Sequence, residues 1–231
     1  MSAIAAGGWL AQPLRFYQAS IGKKVVMAVT GAILFGYVVA HLLGNLQIYL
    51  GPEQINDYAR FLHSKPGLLW SARLVLLASV VLHITASVQL WALKRRARPI
   101  AYVKKEDLGA SYASRTMMWS GPIIAGFIVF HLLHLTTGTA GLPFRELDPY
   151  HNVIYGFRIF WVSAAYIVSM ILLCFHLYHG LWSMLHSLGM DDERRRPGLQ
   201  RLAAGFAIFI GAGNISIPVA VLLRLIGGGV R

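Results

Sequence analysis

The chain carries five apolar runs, each closed by charged residues or by Gly and Pro. Crossing a bilayer takes ~20 consecutive apolar residues in a helix, and in hydrocarbon only helices and closed barrels satisfy their own backbone polar groups. The punctuation predicts helix I over about 21–49, helix II over 68–93, helix III over 117–139, helix IV over 155–188 and helix V over 202–225. Gly51-Pro52 ends helix I, Lys65-Pro66-Gly67 precedes helix II, Gly141-Leu142-Pro143 follows helix III, Gly189 closes helix IV and Gly227-Gly228-Gly229 breaks helix V. Helix IV is longer than a bilayer requires, so one of its ends is expected to project. Pro218 lies inside helix V, where a kink is expected and the released carbonyl needs a substitute partner. No internal repeat or separate soluble domain interrupts this pattern. The expectation is one all-α, polytopic membrane domain over residues 1–231.

Composition agrees. Only 13% of the 231 residues are charged and 56% are hydrophobic, whereas roughly a quarter of a soluble domain is charged. The net charge of +12 is not spread evenly. Arg15, Lys23 and Lys24 precede or open helix I. Lys94, Arg95, Arg96, Arg98, Lys104, Lys105 and Arg115 crowd the helix II–III connection, and Arg194, Arg195, Arg196 and Arg201 the helix IV–V connection. The opposite side holds Arg60, Lys65, Arg73, Arg145 and Arg158, with Arg224 and Arg231 near the C-terminus. Such asymmetry is the signature of cytoplasmic loops. It predicts a cytoplasmic N-terminus and an external C-terminus, and it accounts for the charge without nucleic acid. Cys174 is the one cysteine, which excludes an internal disulfide, a cysteine-ligated iron–sulfur cluster and a CxxCH-attached haem. The N-terminus lacks a basic segment leading into an apolar core and cleavage site, so no cleaved signal peptide is expected. No G-x-G-x-x-G or phosphate-binding loop follows a strand, so no nucleotide site is expected either.

Six of the nine histidines fall inside the apolar runs: His41, His83, His131, His134, His176 and His179. His186 lies near the inner end of helix IV. A lone membrane histidine is usually a hydrogen-bonded packing residue, yet here each of four successive helices carries at least one. Imidazole in hydrocarbon is costly without a partner. The economical explanation is pairs of axial ligands clasping haem iron inside a helical bundle. Counting from the outer helix ends at ~1.5 Å per residue, His41 and His131 lie about 12 Å inward, His83 about 20 Å and His176 about 30 Å. Two levels result, one with His41 and His131 and one with His83 and His176. Within the doublets His131/His134 and His176/His179, residues three apart lie on neighbouring faces, so one of each pair can point at a given iron. Gly31, Gly36 and Gly44 on helix I, and Gly121 and Gly126 on helix III, permit close approach of a helix or a porphyrin. His63 and His151 are expected to be solvent-exposed loop residues.

Four stretches carry a family pattern: "TGAILFGYVVAHLLGNL" at 30–46, "RLVLLASVVLHI" at 73–84, "GFIVFHLLHL" at 126–135 and "FHLYHGLWSMLHSLG" at 175–189. Through them the chain resembles the single-subunit, five-helix, dihaem cytochrome b anchor of succinate dehydrogenase and fumarate reductase (type B). The resemblance covers all five helices and implies that helices I–IV form a dihaem four-helix bundle. By that resemblance His41 and His131 are the axial ligands of the distal haem b, and His83 and His176 those of the proximal one. The first histidine of each doublet matches the family motif. The family implies partners as well: a flavoprotein with FAD and an iron–sulfur subunit at the cytoplasmic face of a bacterial inner membrane. Electrons would pass from the iron–sulfur subunit through both haems to a quinone, menaquinone by expectation, with the dicarboxylate chemistry on the partners. A higher oligomer of the complex is compatible with this.

One departure stands at Cys174, where dihaem fumarate reductases that compensate electron flow with proton movement carry a glutamate. It tilts the expectation toward succinate oxidation, with a quinol:fumarate reductase anchor as the alternative. Candidates for a quinone or the haem propionates are Ser20 and Lys24 at the inner start of helix I, His179 and His186 on helix IV, and Tyr58 and Arg60, with Glu53 and Asp57, in the loop after helix I. A reading of a different class is a haem-free transporter whose histidines relay protons. Such proteins often carry mid-membrane carboxylates, and helices I–IV have none.

Overall fold

The computed structural model describes residues 16–97, 112–187, 189–190 and 192–228. Arg15, Arg98, Lys104, Lys105, Leu188, Gly229 and Arg231, which figure in the readings above, lie outside them. The described residues are helical and contain no strand. In chain order the helices are α1 (Ser20–Asn45), α2 (Pro52–His63), α3 (Pro66–Arg96), α4 (Tyr112–Leu135), α5 (Pro149–Arg158), α6 (Phe160–Ser187) and α7 (Arg196–Leu222), with a 3₁₀ turn at Leu46–Leu50 after α1. Among them α1, α3, α4, α6 and α7 are the five long and apolar enough to cross a membrane.

Three expectations change. The connection after helix I is not a loop, because Glu53, Asp57, Tyr58 and Arg60 all lie on α2. Gly51, at φ 112°, makes the turn that an L side chain resists, Pro52 opens the helix, and Glu53 and Arg60 suit the two ends of its dipole. Ile55 is the buried anchor of its apolar side. Second, helix IV does not run unbroken from about 155. Ile159 adopts an extended conformation (φ −81°, ψ 110°) and separates α5 from α6. The Asp148 carboxylate accepts from the His151 amide at 3.0 Å to cap the start of α5, and Ser163 Oγ donates to the Phe157 carbonyl at 2.6 Å near its end. The extra length assigned to a projecting helix end is therefore a separate short helix. Third, helix III ends at Leu135, beyond which Gly138 (φ 68°) and Gly141 (φ 71°) turn the chain.

The chain divides into two compact units. The first comprises the chain up to Gly36 and Ser71–Leu108; the second comprises Tyr37–Trp70 and Gly109–Arg231. In the second unit a buried cluster joins Ile48, Ile55, Ile154, Phe157, Val162, Tyr166, Ile217 and Val221 from the 3₁₀ turn, α2, α5, α6 and α7. Asn152, itself buried, closes the segment before α5: its side chain donates to the Arg145 carbonyl at 2.9 Å and accepts from the Arg145 amide at 2.6 Å. Away from this cluster the long helices turn large apolar side chains outward, among them Trp119 (76% exposed), Ile208 (67%) and Phe160 (74%). Those faces suit hydrocarbon, not water. α6 and α7 pack through Gly211, where a Cβ would lie 2.0 Å from Cys174 Sγ, and the Cys174 thiol donates to the Ala207 carbonyl at 3.3 Å. Cys174 thus serves the helix–helix contact. α7 runs through Pro218 without interruption to Leu222.

Candidate functional site

In the second unit α1 and α4 bring His41 and His131 together. Their ring centroids are 5.7 Å apart with the planes at 90°. Each sits one turn before the end of its own α-helix, at Asn45 and Leu135. His41 stacks on Tyr37 (centroids 5.3 Å, planes 19° apart), and its Nδ1 lies 3.5 Å from the Tyr37 hydroxyl. His131 Nδ1 lies 3.2 Å from the Tyr166 hydroxyl on α6. With Nδ1 of each ring turned to a tyrosine hydroxyl, Nε2 is the nitrogen that could serve a metal wherever Nδ1 carries the proton. With metal–nitrogen distances of about 2 Å, two imidazoles this close could both reach a single metal ion between them. The observed pair fits one metal centre in donor type and spacing.

Tyr166 is the residue that sequence reading missed. It is almost fully buried (6% exposed), and its one hydroxyl serves both His131 and His134, whose Nδ1 is 3.0 Å away. A phenol has one proton, so it donates to one imidazole and accepts from the other. The two rings therefore hold opposite tautomers. Phe127 and Phe157 pack edge-on against Tyr166 at 4.9 and 4.7 Å. His134 is fully buried, bonded across helices at Nδ1 but with no hydrogen-bond partner at Nε2, which faces Gly156. The signal for Tyr166 was a hydroxyl inside an apolar helix, visible only once its distance to the histidines is known. Tyr166→Phe keeps the ring packing and strands both nitrogens. It is expected to lower stability by roughly 1–3 kcal/mol, read as a lower thermal unfolding midpoint in detergent, with no change in helix content.

His83 belongs to the first unit. Its Nδ1 lies 3.1 Å from the Met27 carbonyl and 3.2 Å from Thr30 Oγ1. The carbonyl only accepts, and the Thr30 hydroxyl donates to the Val26 carbonyl at 2.7 Å. His83 Nδ1 is consequently the N–H, and the lone pair sits on Nε2. Gly31 makes room for this ring, since a Cβ there would lie 3.3 Å from His83 Cε1. Gly44 does the same for the Tyr58 ring, at 2.9 Å. Gly36, Gly121 and Gly126 meet nothing within 4 Å and leave open flanks instead.

His176, half-buried on α6, lies in the second unit. On α6 the side chains of His179, Trp182 and His186 follow one another, with ring centroids 6.2 and 6.1 Å apart. His179 Nδ1 and Trp182 Nε1 are buried without a hydrogen-bond partner. These are polar groups in an apolar run that an acceptor would satisfy, and Trp182 joins the two histidines already singled out.

The remaining candidates are more superficial. Ser20 and Lys24 are exposed at the start of α1. Arg60 pairs with Asp57 on the exposed side of α2. His63 is exposed, its Nδ1 2.9 Å from the Ala59 carbonyl. His151, expected in solvent, is half-buried and stacks on Tyr155 at 4.2 Å because it rides on α5. Burial and the Arg145 charge hold its imidazole below the usual range, against the opposing pull of Asp148. Comparison of the chain with family models, curated proteins and solved structures gave no match.

Proposed function

We propose that this chain is the membrane anchor and cytochrome b subunit of a succinate:menaquinone oxidoreductase. His41 and His131 would hold one b haem, and His83 and His176 the second. The observation that carries the reading is the approach of the His41 and His131 rings to 5.7 Å, with both Nδ1 atoms turned to tyrosine hydroxyls. The Met27 carbonyl on His83 supports it independently, because it prepares the Nε2-ligating tautomer. When bound, the haems supply one-electron transfer. The chain itself holds the four imidazoles, sets the His83 tautomer through the Met27 carbonyl and surrounds them with apolar helix faces.

In this reading Tyr166 accepts from His131 Nδ1–H and donates to His134 Nδ1. His179, Trp182 and His186 offer hydrogen bonds to a quinone carbonyl or to haem propionates. The basic ends of α3 and α7 face the cytoplasm, where the flavoprotein and iron–sulfur subunits would dock with their FAD and clusters. An anchor for a quinol:fumarate reductase would share these features. Cys174, whose thiol is spent on the α6–α7 contact, favours succinate oxidation because no carboxylate stands there. A second reading, a haem-free proton relay, draws on the hydrogen-bonded series His131–Tyr166–His134.

One measurement separates the two. A dithionite-reduced minus oxidised spectrum, with haem quantitation of the native protein and whatever co-purifies, is expected to give two b haems per chain. Absence of haem from the native protein would sink the cytochrome reading and leave the relay.

A further inference from the structure

We infer that the first unit carries a binding site for the phosphate of an anionic phospholipid, in a cleft between α1 and α3 lined by Lys23, Gln89, Ala92, Leu93 and Arg96. The inference does not depend on haem. Its starting point is a buried charge that meets no counterion among the described residues. Lys23 is 8% exposed, and its ammonium donates to the carbonyls of Tyr17 (2.8 Å) and Gln18 (2.7 Å) and lies 5.1 Å from the Tyr17 ring centre. An ammonium has three donors, and all of these partners are neutral. The described residues of this unit contain no Asp or Glu. Burying a cation without an anion is costly. An anion in the cleft would remove that cost.

Among the described residues, the polar side chains that line the cleft, Lys23, Gln89 and Arg96, all carry N–H donors. Gln89 spends its carbonyl oxygen on the Tyr17 hydroxyl, which donates at 2.9 Å, so its amide NH₂ is what remains to offer. Arg96, exposed at the end of α3, adds a guanidinium. Lysine, guanidinium and amide donors together select a phosphate or carboxylate oxygen.

A lipid is favoured over a soluble anion because the site lies at a boundary. α1 starts its apolar run just before Lys23, and the apolar run of α3 gives way to Lys94, Arg95 and Arg96 at its end. Below the charges, Ala92 and Leu93 line the cleft, and Ile84 and Val88 on α3 are exposed apolar residues suited to acyl chains. Arg95 lies over the Trp91 ring at 4.9 Å, the interfacial pairing of an amphipathic ring with a basic head. The cleft holds about 230 Å³, smaller than the ~300–1,000 Å³ of a pocket for a whole drug-sized ligand. That suits a headgroup whose chains stay in the bilayer. Basic pockets between membrane helices on the cytoplasmic side are the common setting for such recognition.

The test is native mass spectrometry of the purified protein, with any subunits that accompany it, titrated with phosphatidylglycerol, phosphatidylcholine or phosphatidylglycerol plus inorganic phosphate. Wild type is expected to retain phosphatidylglycerol at least about tenfold better than phosphatidylcholine, with millimolar phosphate leaving it in place. The pair Lys23→Gln with Arg96→Gln should abolish the preference, and Lys24→Gln with Lys94→Gln, the same charge change outside the cleft, should keep it. Should the Lys23 variant fold poorly by circular dichroism, Arg96→Gln alone, at an exposed helix end, should still weaken the preference. Equal retention of the two lipids, or loss of preference in the outside pair, would overturn the proposal. Displacement by inorganic phosphate would reassign the cleft to a free anion. Binding that appears only after companion subunits are stripped away would assign it to a protein carboxylate.

Discussion

If the chain is the proposed dihaem anchor, replacing His131 with Ala is expected to cut the haem content of the purified protein from two b haems per chain to one, leaving the helices intact. His131 faces His41 at 5.7 Å and is held from behind by Tyr166 at 3.2 Å. Truncation removes one imidazole of the pair and returns the Tyr166 hydroxyl to His134 alone, which a phenol tolerates because one hydrogen bond remains. Combining His41→Ala with His131→Ala should be no worse than either alone, because in the proposed reading both would serve one haem. Combining His131→Ala with His83→Ala should leave the chain without haem. Two haems in the His131 variant and one in His134→Ala would move the ligand to the second member of the doublet. Pyridine haemochrome quantitation reads all of these outcomes.

Gly156→Ala tests the packing beneath the same site, and the sign of its effect is informative. Alanine inside a helix is intrinsically favoured over glycine by about 1 kcal/mol. Left to propensity alone, the substitution would stabilise the protein. The neighbourhood predicts the reverse, because a Cβ at 156 would lie 2.3 Å from His134 Nε2 and 2.6 Å from Cε1. His134 is fully buried, anchored at Nδ1 by Tyr166 and flanked by the Phe130 ring at 5.8 Å, so it has little room to yield. Overpacking of this kind costs about 1–3 kcal/mol. The expected result is a lower thermal midpoint for Gly156→Ala and substantial recovery when His134→Ala is added. Gly126→Ala, where a Cβ meets nothing within 4 Å, should be neutral or mildly stabilising. A Gly156→Ala protein as stable as wild type would show that α5 moves away from α4 at little cost.

The contrast between Gly126 and Gly156 shows where sequence reading reaches its limit. Both are glycines in helices near a histidine doublet, and composition treats them alike. Helices I and III were singled out for small residues, yet the tightest approach to a histidine involves Gly156 on a short helix that hydropathy does not reveal. α2 was similarly hidden, since its mixed polarity cannot cross a bilayer. Its Gly51-Pro52 start, the acidic first turn and the basic last turn were readable signals of a surface helix. α5 announced itself by Asp148-Pro149, but the apolar residues from Tyr155 onward run on into α6, so the break at Ile159 has no sequence mark.

The sequence alone determined the number of long apolar helices and their approximate ends, and it singled out the histidines within them. Length and hydropathy decide whether a segment can cross hydrocarbon, and imidazoles in such segments stand out against an apolar background. Which face of each helix turns inward was decided by the tertiary structure alone. Lipid and protein core are equally apolar, so a membrane helix carries little periodicity to mark its buried side. Only packing could bring His41 to His131, bind two histidines to the one hydroxyl of Tyr166 and set His134 against Gly156. Those contacts join residues far apart in the chain, through side chains that hydropathy does not distinguish.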